Sequence, residues 1–450
     1  MESRWPLSLG DVEALIASGS LEELRERLSG VHAEDVAGLV EYLSPVDGAV
    51  LLSAMEASET GEVLAEMAEP AREDVLGKMT TASIVKAVEL LAADDAADVI
   101  GVLDETQRSE VLEDLEDPEP VEQLLAYSED SAGGIMTPEL ASVPVAASVA
   151  ESLQRLRDAA PYHDDFFALY AVDAADRLVG KVALNRLVSA RPESPVAALV
   201  EPLEATCPPH MDQEEVAALM ARYNLVAIPV VDRSGRLLGR VTFDDVIDVI
   251  EQEATEDILR MAGSDQREIS ERSIVKIARV RLPWVFVGLA GGLLSGIFMS
   301  GFESVFENVL GVIFFVPAVA ALGGNVGIQS STIVIRGITT GDFGVEGFTG
   351  PLIREIRVGL LVGFVCGLAA GLMALLWLND PGLGLIVGLS LWGAALIAAL
   401  VGAGLPFLLH RLGVDPAVAT GPFITTANDV LGILLYFSLA RLLMGLVRGA

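Results

Sequence analysis

The chain has 450 residues, is 52% hydrophobic and carries 64 acids against 29 bases, a net charge of -35. A soluble chain this acidic would not also be this apolar, so the two properties belong to different stretches. Residues 281–450 hold eight acids and seven bases, which leaves 56 acids and 22 bases, net -34, on residues 1–280. A field of that sign repels phosphates, excludes nucleic acid as a partner and favours metal cations. Cys207 and Cys366 fall in different halves and imply no disulfide framework. The opening MESRWPLSLGD lacks the apolar run of a signal peptide, so the acidic half is expected to stay in the cytosol.

Residues 1–127 are helical in pattern and repeat themselves. Glu62-Val-Leu-Ala-Glu-Met67 returns as Asp98-Val-Ile-Gly-Val-Leu103, and Asp74-Val-Leu-Gly-Lys-Met79 as Glu110-Val-Leu-Glu-Asp-Leu115, both at a shift of 36. Two short amphipathic helices per unit, with Pro, Asp or Ser at their starts, predict an all-α superhelix that offers a surface rather than a catalytic centre.

Residues 128–257 carry a second repeat. Val172-Asp173-x-x-x-Arg177-Leu178-x-Gly180 reappears at a shift of 59 as Val231-Asp232-x-x-x-Arg236-Leu237-x-Gly239. Helix patterns at 149–159 and 213–223, each followed by two apolar strands and a second helix, give two α/β copies that resemble a pair of cystathionine-β-synthase-type (CBS) repeats. Ile135-Met136-Thr137-Pro138 and Thr242-Phe-Asp-Asp245 add to that resemblance. In that family the Thr-x-x-Asp pair can hold a nucleotide ribose, which would put ATP on Thr242 and Asp245. The first copy has Ala183-Leu184-Asn185-Arg186 at that place, which counts against ATP there.

The stretch 244–257 packs seven carboxylates with no interleaved base. Helical spacing sets Asp244, Asp248 and Glu251 on one face with Asp245 beside them. Like charges this close repel by about 4 kcal/mol per pair at an effective dielectric of ~20, and a divalent cation would relieve that. Residues 258–281 are expected to form a connecting helix, basic from Arg272 to Arg281.

Residues 282–450 read as a membrane domain of five helices. Charge-free runs cover 282–302, 308–335, 358–379 and 381–409, and a fifth, 416–440, is broken only by Asp429. About 20 apolar residues suffice to cross the hydrocarbon. With the N-terminus inside, Lys276, Arg279, Arg281, Arg336, Arg354, Arg357 and Arg411 fall on the cytosolic side, as the positive-inside rule requires, and the C-terminus lies outside. Glycines at 288, 292 and 296 and at 359, 363, 367 and 371 form small-residue ridges suited to close helix packing. Asp429 is the unusual residue: a carboxylate in hydrocarbon costs at least ~2.5–3.5 kcal/mol and belongs on a wet path or beside a partner. Pro422, near Thr425 and Thr426, would free backbone carbonyls as further oxygen ligands.

Over nearly its whole length the chain resembles the MgtE family of magnesium channels. The resemblance rests on the domain order, on Ser131-Ala-Gly-Gly-Ile-Met-Thr137, on Gly324-Asn-x-Gly-x-Gln-Ser330 and on Pro422 with Asp429-x-x-Gly432. It implies a multi-pass homodimer in the lipid of the plasma (inner) membrane. The pore would lie between subunits, with Asp429 facing hydrated Mg²⁺ and Thr425, Asn325 and Gln329 along the ion path. It further implies a cytosolic Mg²⁺ sensor made by Glu62, Asp94, Asp98, Gly134, Glu214, Asp245, Asp248, Glu253 and Glu256. When Mg²⁺ is plentiful, the connecting helix would bar the pore. Two positions depart from the family pattern: Asn224, where an Asp ligand can stand, and Gly421, where the pore can carry Asn. All candidate ligands are oxygens, which suit Mg²⁺, Ca²⁺ or Mn²⁺ rather than Zn²⁺ or Cu²⁺. A Mn²⁺ or Co²⁺ transporter, a proton-coupled transporter using Asp429 as relay, and a membrane-anchored sensor are the other readings. No activated nucleophile, phosphate loop or clustered base points to an enzyme.

Overall fold

The computed structural model describes residues 8–159, 168–265, 268, 273–303, 305, 310–340, 343, 348–419 and 421–448. They form two compact units, residues 1–252 and 253–450.

The first unit opens with short helices, from Leu9–Ser18 to Glu119–Leu124. Side-chain caps start several of them: Ser8, Ser44 and Thr80 each accept from a backbone N–H three residues on, and Asp104 accepts from Thr106 and Gln107. The repeat at 36 is real in three dimensions, because the helices Ala57–Glu66 and Glu69–Leu76 recur as Ala93–Gly101 and Glu105–Asp114. Each pair is tied by an arginine from its second helix. Arg72 donates to the carbonyls of Ala65 (3.0 Å) and Met67 (2.7 Å), and Arg108 donates to those of Gly101 and Leu103, all at the same shift. These carbonyls end the first helix of each pair and have no partner within it, so a guanidinium fork answers them directly.

Next come the two CBS copies. In the first, β1 (Ser142–Pro144) pairs parallel with β2 (Ala168–Val172), which pairs antiparallel with β3 (Leu178–Ala183). In the second, β4 (Ala227–Val231) and β5 (Leu237–Thr242) form the same hairpin, and Cys207 bridges to Val230 where β1 would stand. The Val-Asp-x-x-x-Arg signature is turn chemistry. Asp173 accepts from the N–H groups of Ala175 and Arg177, and Asp232 from those of Ser234 and Arg236. The left-handed turn position is Asp176 in one copy (φ 57°) and Gly235 in the other (φ 84°). The first copy has its own core around Val143, Leu169, Ala171 and Val182. That of the second, Val216, Ile228, Val230, Val241 and Val246, is continuous with Leu64, Ile84 and Ile100 of the helical repeats.

One helix, Phe243–Ala262, runs without a break through residue 257, where the sequence reading put a module boundary. It stops at Gly263 (φ 74°), so no helix begins at 258. The expected connecting helix is thus the end of this one plus the start of the next. Residues 266, 267 and 269–272, including Arg272, lie outside the described residues.

The second unit contains five helices long and apolar enough to cross a membrane: Ile274–Ser300, Leu310–Thr339, Thr349–Leu378, Pro381–Arg411 and Gly421–Leu443, here called spans one to five. Span two begins with a 3-10 segment, and span five continues helical to Arg448. Span three starts before its charge-free run and brings Arg354, Glu355 and Arg357 into its first turns, with Glu355 buried. Its glycines pack as expected. A Cβ at Gly367 or Gly371 would meet the carbonyl of Gly388 at 2.5 Å or Gly384 at 2.7 Å in span four. The ridge in span one does not: side chains added at Gly288, Gly292 or Gly296 would meet no described atom of the chain. It is Gly291, on another face, that packs, against Thr426 of span five. Pro422 lies in the first turn of span five, where its missing N–H breaks no helical bond, so the expectation of carbonyls freed within the span is not met.

Replacing Arg72 or Arg108 with Leu is expected to destabilise its helix pair by about 1.5–3 kcal/mol, the range for hydrogen bonds to charged groups. Hydrogen exchange over residues 57–76 and 93–114 would show it, each variant loosening its own pair first; uniform exchange with the wild type would deny the staple.

Candidate functional site

Spans two, one and five build the membrane part of the site. Gly323 and Gly327 of span two are buried and open a groove into which Ile424 and Asn428 of span five fit. Asn428 is 2% exposed and donates from Nδ2 to the carbonyl of Gly323 at 3.1 Å. Thr425 donates to the carbonyl of Gly421 at 2.9 Å, one turn back. Asp429 is half-buried, one turn beyond Thr425 on the same face, and no ion pair reaches it among the described residues. Asn325 and Gln329 are exposed on span two and do not share the face of Gly323 and Gly327. Within one chain, then, Thr425 and Asp429 share a face of span five, and Thr425 lies against Gly324, the neighbour of Asn325.

At the start of span five the backbone is unusually close. A Cβ at Gly421 would lie 2.3 Å from the carbonyl oxygen of Met261, in the last turn of the helix Phe243–Ala262. Gly263 packs against Trp284 and Pro422, and Thr332 of span two reaches the sulfur of Met261 at 3.8 Å. The end of that helix therefore sits against Trp284 of span one and the start of span five, beside span two. Arg260 anchors it through ion pairs to Glu256 and to Asp415, in the loop before span five. Glu253 helps raise the neighbouring Asp257, whose pKa goes to about 6 through burial first, then through Asp415 and Glu253. Gly421 has a structural reason that the sequence reading lacked, and Arg260 and Asp415, which lie beside it, were not singled out from the sequence.

The first unit holds a crowd of acids. Asp95 is raised to about 7 and Asp98 to about 6, each by burial first; Arg72 opposes the rise in both. Asp245 is also raised to about 6, by burial and by Asp94, against a hydrogen bond from Thr242. Asp94 accepts from the Thr137 hydroxyl with one oxygen, while its other oxygen is buried without a hydrogen bond among the described residues. Asp95 and Asp98 remain exposed by surface area; what crowds them is protein on several sides rather than full sequestration from water. A second cluster joins Glu66, raised to about 7 by burial and a hydrogen bond with Glu34, to Asp248, raised by burial and by Glu34. Glu34, Glu66 and Asp95 were not singled out from the sequence, since only the fold brings them to the acidic stripe.

The remaining predicted ligands are spread more widely. Glu62 is exposed on its helix and Glu214 half-buried in the first turn of Gln213–Tyr223. Gly134 makes a tight turn, in which a Cβ would meet the carbonyl of Ser128 at 2.3 Å. Thr242 donates to Asp245, so the Thr-x-x-Asp pair is bonded to itself. Asn224 ends its helix in the left-handed conformation (φ 51°), a position that suits Asn. Among the described residues no three His, Cys, Asp or Glu side chains converge to enclose a metal. The donors nevertheless fit Mg²⁺, an ion that keeps several waters and is held through one or two carboxylates rather than by an all-protein cage.

The class defined by this fold is a five-span membrane protein carrying an acidic helical module and a CBS pair. Residues 316–439 match the MgtE divalent cation transporter family, residues 31–130 the MgtE intracellular N domain and residues 196–252 a CBS domain. The chain is 37% identical over 452 residues to the magnesium transporter MgtE of Thermus thermophilus, covering 99% of both chains. It is 32% identical over 428 residues to that of Bacillus subtilis, covering 95% of both. A crystal structure of the cytosolic domain of the Mg²⁺ channel MgtE in complex with ATP shares 34% identity and a TM-score of 0.50, covering 54% of this chain and all of that one. The chain belongs to the MgtE family.

The raised acids give a pH prediction for the metal-free protein. Asp95, Asp98, Asp245 and Glu66 titrate higher when folded than in the unfolded chain, where they return to the ordinary carboxylate range. Between the two values the folded state holds more protons, so stability falls as pH rises through about 6–7. In EDTA, proteolysis within residues 1–252 should be slower near pH 5 than near pH 8, after correction on a denatured substrate, and Mg²⁺ should slow it at the higher pH. Equal rates at both pH values would show that the crowding has no energetic weight.

Proposed function

We propose that this chain transports Mg²⁺ into the cell as a channel in the plasma membrane, and that cytosolic Mg²⁺ closes it. Its full-length relatives are magnesium transporters, which supports the choice of ion. The observation that carries the reading is Asp429, a carboxylate inside a span with no cation paired to it among the described residues. Two copies pair so that their Asp429 residues face one water-filled path, where a pair of charges attracts a divalent ion that keeps most of its waters. A negative interior drives the ion inward with about 4.6 kcal/mol per Mg²⁺ per 100 mV.

Closure runs through the helix Phe243–Ala262. Asp244, Asp245 and Asp248 lie near its start and Met261 at its end, against Gly421. Without Mg²⁺, the acids of the helical repeats and of this helix repel, and the soluble modules loosen. Mg²⁺ favours the compact arrangement and shifts the population toward the state in which the helix end blocks span five. Arg260 already occupies Glu256, so the reading gives Glu256 a smaller part in sensing than Asp94, Asp98, Asp245 and Asp248. ATP at the CBS pair would be a modulator bound on Thr242 and Asp245, at the expense of their mutual hydrogen bond.

Asp429→Asn should lower Mg²⁺ flux into proteoliposomes at least ten-fold while the protein still inserts and dimerises; undiminished flux would remove Asp429 from the path. Asp98→Ala and Asp245→Ala should keep conduction but move closure to higher cytosolic Mg²⁺, measured as open probability against Mg²⁺ concentration. Curves superimposable on the wild type would reduce these carboxylates to a solvated surface.

A further inference from the structure

We propose that Asn428 is the positioning residue for Asp429, holding its carboxylate at one azimuth on the ion path; the inference rests on the reading of Asp429 as the cation site. Asn428 is buried between spans two and five, donates to the Gly323 carbonyl and, among the described residues, leaves Oδ1 without a hydrogen bond. Its seat exists because span two lacks a side chain there. A Cβ at Gly327 would lie 2.0 Å from Nδ2 of Asn428 and 2.8 Å from Cγ2 of Ile424. Span four supports the same spot from behind, since a Cβ at Gly402 would lie 2.3 Å from the Gly327 carbonyl.

The other flank of span five is fixed by Thr426. Its Cγ2 sits where a Cβ at Gly291 of span one would be met at 2.2 Å, and its hydroxyl donates to the Val287 carbonyl at 3.5 Å. Successive residues on an α-helix turn by about 100°, which places Asp429 about 60° from Thr426 and about 100° from Asn428, in the sector between them. The apolar contacts of span five resist separation from its neighbours but tolerate rotation. A hydrogen bond to one carbonyl does not, because it is directional and water does not compete for it in lipid. A rotation of about 20° would carry a group about 5–6 Å from the helix axis through roughly 2 Å. That displacement is comparable to the difference between touching a hydrated ion and missing it. Asn428 touches no ion in this arrangement and acts through Asp429.

The test uses the full-length protein in proteoliposomes, with Mg²⁺ and Ca²⁺ flux measured separately. Block by hexaamminecobalt(III), a rigid stand-in for hexahydrated Mg²⁺, is measured beside them. Asn428→Ala and Gly327→Ala perturb the same contact from opposite sides, one by removing the donor and the other by displacing it. Both are expected to lower the Mg²⁺/Ca²⁺ flux ratio and to weaken the block about ten-fold, with the dimer intact. Should either variant fail to fold, Asn428→Ser, which removes the amide but keeps a short donor, takes its place with the same expectation. A folded variant whose flux falls equally for both ions, with ratio and block unchanged, would show Asn428 to be packing only and overturn the proposal. A wild type whose Mg²⁺ flux is indifferent to Asp429→Asn would instead overturn the reading of Asp429 beneath it.

Discussion

Crowding of like charge is the constraint on which the soluble half is built. Residues 1–280 carry a net of -34, yet the core of the helical repeats continues into the second CBS copy and pulls the two modules together. Burial of Leu64, Ile84, Ile100, Val216 and Ile228 thus presses against each other the very carboxylates that repel. The raised acids reflect burial first and that repulsion second, and Arg72 lowers both Asp95 and Asp98. Such an arrangement is stable only to the extent that protons or cations reduce the charge.

The membrane half solves a different problem. Lipid gives its helices no hydrophobic reason to associate, so they come together where side chains are missing. Spans three and four meet along Gly359 and Gly363, which face Ala399 and Ala395, and along Gly367 and Gly371, which face the backbone of Gly388 and Gly384. Spans two and five meet through Gly323 and Gly327, with a polar side chain filling the space. The first interface adds a hydrogen bond from the Trp392 indole to the Leu360 carbonyl at 3.0 Å; the second sets a buried amide next to Asp429.

Much of this was legible in the sequence because it is periodic. The shifts of 36 and 59, the five apolar runs and the isolated Asp429 are patterns along one strand of text, and the helices and hairpins fall where those patterns put them. Arg72 and Arg108 are themselves 36 apart, a signal that could have revealed the staple. What could not be read depends on azimuth or on distant partners. Nothing local distinguishes Gly291, which packs, from Gly288, which does not, and nothing local brings Glu34 to Glu66. Asn428 was hidden by its neighbour: adjacent residues on a helix face different ways, and the charged one drew the attention.

Gly421 has a consequence for how such a protein can change. Its hydrogen is all that fits beneath the Met261 carbonyl, so the first residue of span five packs directly on the last turn of the helix Phe243–Ala262, and under the proposed gating that one residue would serve both the passage and the seat of its stopper. Under that proposal, a larger residue there would alter permeation and closure in a single step. Substitution at 421 would therefore have to be accompanied by a shift in the turn Arg260–Gly263, and the two segments, 158 positions apart for Gly421 and Gly263, should vary as one unit in descent.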